Sequence, residues 1–215
     1  MKIKVSDKIG SVSTEIISPE NPKAVLVLGH GAGAGMVHPF MKSLSEELAN
    51  FSIATLRFNF PFIEQKKGRP DFPGVAHATI EAAIQIAMEK FPNISLYAGG
   101  KSFGGRMTSQ LMASKNICGV KGLLFFGFPL HQPGNPSIER AEHLMEVKVS
   151  MLFLQGTRDA LAEITRINQV VGSLKNAKVI SFEGADHSFK SGKQNLIPAL
   201  AENTAKWIFK QENLE

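Results

Sequence analysis

Residues 94–106 read Ile94-Ser95-Leu96-Tyr97-Ala98-Gly99-Gly100-Lys101-Ser102-Phe103-Gly104-Gly105-Arg106, and this stretch decides the fold. It opens with a short apolar run, Ile94–Ala98, of the kind that forms a strand buried on both faces. A glycine-rich turn follows, then a segment with helical spacing, Gly104–Lys115. Within the turn, Gly100-Lys101-Ser102-Phe103-Gly104 spells G-x-S-x-G in the strand–turn–helix setting that gives the pattern its meaning. A serine on so sharp a bend occupies a strained backbone conformation, and the residues two before and two after it come too close to other backbone to carry side chains. The bend exposes the hydroxyl beside a helix N-terminus, whose dipole favours negative charge. Ser102 is therefore the candidate nucleophile. A second pattern overlaps the first, because Gly100-Lys101-Ser102 also ends a phosphate-binding G-x-x-x-x-G-K-S loop. That loop requires glycine at position 95, where the chain has Ser95, and the residues between continue a strand.

Short apolar runs recur on either side of this stretch, at Ala24–Leu28, Ile53–Phe58, Val120–Phe126, Met151–Leu154 and Lys178–Phe182. Segments of helical spacing separate most of them: Pro39–Ala49, with proline at a first helical position, Gly74–Phe91, Ala160–Leu174 and Leu196–Lys210. Such alternation predicts an α/β fold, a doubly wound and mostly parallel sheet with helices on both faces. Ahead of it, Lys2–Val5 and Val12–Ile17 flank a polar turn, and the second run alternates apolar and polar residues. These form an N-terminal antiparallel hairpin at one edge of the sheet. Residues 127–148 break the rhythm, first rich in Pro and Gly, then polar and helical from about Ser137. An insertion there is expected over the carboxyl edge of the sheet, and it is too short to be a cap domain. With no repeat or linker in the sequence, residues 1–215 are expected to form one domain.

A serine nucleophile on such a turn is followed in the chain by its acid and then its histidine. Gln155-Gly156-Thr157-Arg158-Asp159 follows one strand, and Glu183-Gly184-Ala185-Asp186-His187-Ser188-Phe189 follows the next. His187 lies at a strand end, whereas His30, His38 and His77 precede the serine and His131 and His143 fall in the insertion. For the acid, Asp159 is preferred; Asp186 adjoins His187, and neighbouring side chains diverge, while Glu163 opens a helix.

The first central strand ends in Gly29-His30-Gly31-Ala32-Gly33-Ala34-Gly35, a loop able to aim backbone amides at a developing oxyanion. The expected donors are the amides of Phe103 and Ala32, with Gly33 as a substitute. The same glycines fail as a dinucleotide fingerprint: the spacing is wrong, Pro39 delays the helix, and no acidic residue ends the next strand. Phe60, Phe62, Phe103 and Phe128 follow strand ends and can line an acyl pocket or simply pack in the core. His131 is a further pocket candidate. Arg57 either anchors its own loop or faces a substrate carboxylate, and His30 is expected to shape its loop.

Composition narrows the partners. Hydrophobic residues make up 43% and charged residues 20%, the mix of a globular protein with core enough to need no metal or disulfide. The charge is +5, and its densest basic spot, Lys66-Lys67-Gly68-Arg69, carries no nucleic-acid-binding motif around it. The longest apolar stretches fall far short of the ~20 residues that cross a bilayer. A lone cysteine, Cys118, and no apolar run of signal-peptide length in Met1–Glu20 point to the cytoplasm. A small-molecule acyl substrate is the expected partner, with no cofactor, nucleic acid or membrane.

Taken together, Gly29-His30-Gly31-Ala32-Gly33, Arg57-Phe58-Asn59-Phe60-Pro61 with Arg69-Pro70-Asp71, Gly99 to Arg106, Phe128-Pro129-Leu130-His131, Gln155 to Asp159 and Asp186-His187-Ser188-Phe189 resemble the small α/β-hydrolases of the dienelactone-hydrolase-like type. More narrowly, they resemble bacterial proteins related to a subunit of the animal NSL acetyltransferase complex. The resemblance spans about residues 24 to 210. It implies an α/β-hydrolase fold and a Ser102–Asp159–His187 triad and says little about substrate; an ester is the bond expected ahead of an amide or peptide. It does not imply dienelactone hydrolysis, since those enzymes carry a cysteine nucleophile. Thioesterase, amidase and acyltransferase chemistry use the same parts, and a non-catalytic interaction protein on this fold is the alternative of another class.

Overall fold

The computed structural model describes residues 1–213; Leu214 and Glu215, the end of the expected domain, lie outside the described residues. Eight strands form the main sheet: β1 (Lys2–Ser6), β2 (Gly10–Ile17), β3 (Ala24–Gly29), β4 (Ile53–Phe58), β5 (Ser95–Lys101), β6 (Val120–Phe126), β7 (Ser150–Gly156) and β8 (Ala177–Phe182). Their order is β1-β2-β4-β3-β5-β6-β7-β8. From β4 to β8 every neighbouring pair is parallel, and the β1–β2 hairpin joins antiparallel through β2 and β4. The helices are α1 (Pro39–Asn50), α2 (Pro61–Glu64), α3 (Pro73–Lys90), α4 (Phe103–Lys115), α5 (Ile164–Ser173) and α6 (Ile197–Gln211), with a 3-10 helix at Glu139–Glu146. Two-residue strands β9 (Lys190–Ser191) and β10 (Gln194–Asn195) make a small separate hairpin. The expected doubly wound sheet with its edge hairpin is present.

Alternation along each strand feeds two cores. On β3, Val25 and Val27 face the layer holding α3, α4, α5 and the 3-10 helix, whereas Ala24, Leu26 and Leu28 face α1 and α6. All five are buried, and each leucine so placed contributes about 1.5–3 kcal/mol relative to exposure. The C-terminal end of α6 is tied back to β5 by Glu212, whose carboxylate accepts from Ser95 Oγ and Tyr97 Oη, each at 2.6 Å.

Three features depart from the sequence reading. β8 is half-exposed rather than buried on both faces, because it pairs with β7 alone and forms an edge; Lys178 at its exposed positions discourages further pairing. α5 begins at Ile164 instead of Ala160, since the Leu161 amide donates to the Asp159 carboxylate and holds the chain in a turn. The segment 127–148 starts at the carboxyl end of β6, but its helical half packs on α4. There Ala141, Leu144 and Val147 join the core, and Ser109 Oγ lies 2.7 Å from His143 Nε2.

The winding order places the crevice. After β3 the chain builds β4 on one side, then crosses back to lay β5 on the other. The carboxyl ends of β3 and β5 thus diverge at a topological switch point, where open α/β sheets bind ligands. Here α4 enters so close that backbone meets backbone. A Cβ on Gly104 would lie 2.5 Å from the carbonyl carbon and oxygen of Gly29, and one on Gly100 would approach that oxygen more closely still.

Gly104→Ala should therefore lower stability by at least about 2 kcal/mol in urea denaturation, because the clash is with backbone that cannot rotate away. Gly172→Ala, at an exposed site in α5 with nothing within 4 Å of the new Cβ, should instead stabilise by up to about 1 kcal/mol.

Candidate active site

Ser102 follows β5 and caps α4 with φ 51° and ψ −114°, a left-handed conformation that costs a non-glycine residue about 1–3 kcal/mol. Its amide donates to Phe126 O at 3.2 Å, continuing the β5–β6 ladder, and its carbonyl accepts from Arg106 N at 3.1 Å, opening the helix. The residue is bent between two regular structures, and its hydroxyl projects from the bend.

His187 meets it from the loop after β8. Its Nε2 lies 2.8 Å from Ser102 Oγ, and its Nδ1 lies 2.7 Å from Asp159 Oδ2. An ionised carboxylate can only accept, so Nδ1 carries the proton and Nε2 presents its lone pair to the serine. The Asp159 side chain is fully buried and His187 is 23% exposed at the cavity wall. Asp159 also accepts from Leu161 N at 2.8 Å and from Gln155 Nε2 at 2.6 Å. Gln155 is fully buried at the end of β7, and its Oε1 accepts from Phe128 N at 2.9 Å. Every oxygen of the buried carboxylate is thus engaged. The competing acids are occupied elsewhere: Asp186 accepts from Ser188 N and Lys190 N to shape its own loop, and Glu163 pairs with Arg166.

The loop after β3 passes directly over the serine, where a Cβ on Gly31 would lie 3.6 Å from Ser102 Cβ. Its shape is held by two buried side chains. His30 donates from Nδ1 to Gly31 O at 2.7 Å and accepts from Phe60 N at 3.0 Å on Nε2. Both bonds suit the neutral ring, and burial pushes its pKa down to about 4. Arg57 donates to Met36 O at 2.7 Å and to the Glu15 carboxylate at 2.7 Å. Ala32 and Gly33 line the cavity beside Ser102, and the amide of Phe103, in the first turn of α4, has no intrahelical acceptor.

The cavity measures about 370 Å³ and is walled by the loop Gly31–Ala34 and by His38, Phe40, Met41, Lys101 and Leu161 around Ser102 and His187. The suggested pocket residues are not among its walls. Phe60 and Phe62 stack on each other in the core and meet Phe103 edge-to-face, and Phe128 packs on Phe125 and Phe153. His131 is buried and binds its own segment through Gln132 O, while Arg57 anchors a loop and faces no cavity. The phenylalanines turn into the core after β4 and β6, whereas Arg57 lies within β4 and reaches Met36 and Glu15. Gln155, Lys101 and the α1 residues Phe40 and Met41 went unassigned in the sequence. Gln155 did leave a signal there, as a polar residue closing an apolar strand four positions before the acid.

Residues 22–208 match the family described as an alpha/beta hydrolase domain. Among solved structures, the chain is similar to a dienelactone hydrolase from Anabaena variabilis at 17% identity and a TM-score of 0.80, over 98% of this chain and 95% of that one. It is similar to Est1E from Butyrivibrio proteoclasticus, solved with ferulic acid bound, at 15% identity and a TM-score of 0.78 over 99% of both chains. It is also similar to a lidless α/β serine hydrolase from Xanthomonas campestris at 18% identity and a TM-score of 0.73, over 96% and 93%. At such identities the likeness is one of fold. Among the described residues, no helix is long and apolar enough to cross a membrane.

The lowered pKa of His30 gives a pH signature. In nitrogen-resolved NMR, His30 should remain the neutral Nδ1–H tautomer at pH 5. The unfolded chain takes up that proton from pH ~6.5 downward while folded His30 resists to about 4. Its contribution to stability is therefore full above pH ~6.5 and declines as the pH falls through that window.

Proposed function

We propose that this chain, which belongs to the alpha/beta hydrolase domain family, cleaves an ester-type acyl bond of a small or medium substrate through an acyl-enzyme on Ser102. The observation that carries this reading is the continuous relay from Ser102 Oγ through His187 to the buried Asp159, at 2.8 and 2.7 Å. In the proposed cycle Ser102 Oγ attacks the carbonyl carbon as its proton passes to His187 Nε2. The negative charge then moves to the carbonyl oxygen, where the amides of Phe103 and of Ala32 or Gly33 are the candidate donors. Collapse of this intermediate breaks the carbon–oxygen bond to the leaving group, which takes the proton from His187. A water molecule, deprotonated by Nε2, attacks the acyl carbon, and Ser102 departs with the proton returned. Asp159 stays ionised throughout and keeps the imidazole oriented, with Gln155 and the Leu161 amide fixing the carboxylate in turn.

The cavity supports the size class. At about 370 Å³ it sits low in the ~300–1,000 Å³ span of small-ligand sites, and Ala34, Phe40, Met41 and Leu161 give it an apolar wall suited to a short acyl chain. Thioesters and amides present the same carbonyl to the same groups, so the bond broken is a matter for assay.

Wild type should hydrolyse p-nitrophenyl acetate and butyrate, and Ser102→Ala should lose at least about 10³-fold with an unchanged circular dichroism spectrum. Equal rates in the two proteins would overturn the reading. A fluorophosphonate probe should label wild type and not the variant; absence of label on wild type would mean an unactivated serine. Butyrate should be preferred to decanoate by roughly 10-fold or more in kcat/KM.

A further inference from the structure

The middle position before the serine in G-x-S-x-G makes no demand on side chain, yet Lys101 fills it with a cation that the proposed chemistry never uses. Its side chain reaches from the end of β5 along the cavity wall to the backbone of His187. Nζ donates to the carbonyl oxygen of His187 itself at 2.5 Å. The rings of Phe189 and Phe40 lie 5.6 and 6.0 Å away, within cation–π range. Gly127, at positive φ after β6, leaves the room: a Cβ there would be 3.0 Å from Lys101 Nζ and 3.5 Å from both His187 Cε1 and Nδ1. Ammonium and imidazole thus share one space. Among the described residues, Lys101 makes no ion pair within 4.0 Å.

We propose that Lys101 is a positioning residue, whose ammonium clamps the His187 carbonyl and keeps the His187 ring in register between Ser102 and Asp159. The inference rests on the reading of those three residues as a catalytic triad. The backbone of the His187 loop is otherwise held through neighbours of the histidine, by Ala185 N to Phe182 O on β8, Arg158 N to Ala185 O and, within the loop, Asp186 N to Lys190 O, so Lys101 supplies the bond at the histidine's own backbone. Around the ammonium, the loop after β7 brings Asp159, the loop after β8 brings Asp186 and His187, α1 brings Phe40, and Gly127 follows β6. The two carboxylates attract the cation from a distance, but burial outweighs them and pushes its pKa down to about 8. The clamp therefore loses its charge within reach of an ordinary assay.

The test compares kcat and KM across pH for wild type, Lys101→Met and Lys101→Arg, using p-nitrophenyl butyrate. Lys101→Met keeps contact with both aromatic rings but removes the donor and charge; it should lower kcat roughly 10–100-fold with KM within about two-fold. Wild-type kcat should fall above pH ~8, and Lys101→Arg, which holds its proton, should lose that fall while recovering most of kcat. The comparison of wild type with Lys101→Arg stands even where the methionine variant does not fold. A wild-type profile flat through pH 8 would overturn the proposal, as would a Lys101→Met loss confined to KM, which would make the lysine a substrate contact. If Ser102→Ala is inactive while Lys101→Met retains wild-type kcat, this inference alone fails; if Ser102→Ala stays active, the triad reading falls and takes this one with it.

Discussion

Everything at the crevice depends on one contact, the approach of the first turn of α4 to the carboxyl end of β3 without side chains between them. Gly29, Gly100 and Gly104 meet there backbone to backbone, with Gly99 pressed in turn against Leu124 on β6. This junction is what fixes the bend at Ser102. A residue at φ 51° gains nothing locally from that conformation, so the surroundings must over-determine it. They do so from both directions, through the ladder bond to Phe126 and the first helical bond from Arg106. The apolar alternation of β3 and β5 then anchors both sides of the junction in two separate cores.

The same logic explains which parts of the molecule were readable in the sequence. The strand Ile94–Ala98, the glycines around Ser102 and the strand-end positions of Asp159 and His187 each follow from a local rule, and local rules leave local traces. The pocket did not. Whether Phe60 or Phe40 walls the cavity depends on where a side chain lands after two elements pack, and an aromatic after a strand end looks the same either way. Here α1 crosses the mouth and presents Phe40 and Met41, whereas the turn into α2 sends Phe60 and Phe62 inward against Phe103. Lys101 was hidden for a different reason: its position in the motif tolerates any residue, so nothing in the pattern marks it.

Polar groups buried at the site obey a strict accounting. Asp159 has both oxygens engaged, and Gln155 spends its amide nitrogen on that carboxylate and its oxygen on the Phe128 amide. Such a chain leaves the acid few ways to move, because each shift would strand a buried donor or acceptor. His30 plays the matching part in the loop opposite, as a neutral ring bonded on both nitrogens. The catalytic-acid side and the His30 ring are thus fixed by satisfied hydrogen bonds, while Arg57 holds the loop through two of its nitrogens.

Arg57 carries a consequence beyond the cavity. Its guanidinium grips Met36 in the loop above Ser102 with one arm and Glu15 of the edge hairpin with the other. Glu15 is 49% exposed, the kind of position where sequence ordinarily drifts. Its partner has no exposure at all, so replacing Glu15 would leave the buried guanidinium without its carboxylate. The edge hairpin, whose β2 lies two strands from β3 in the sheet, thereby becomes a mechanical brace for the loop. A surface that looks free to diverge among descendants of this chain is constrained at one acidic residue by a load it bears for the interior.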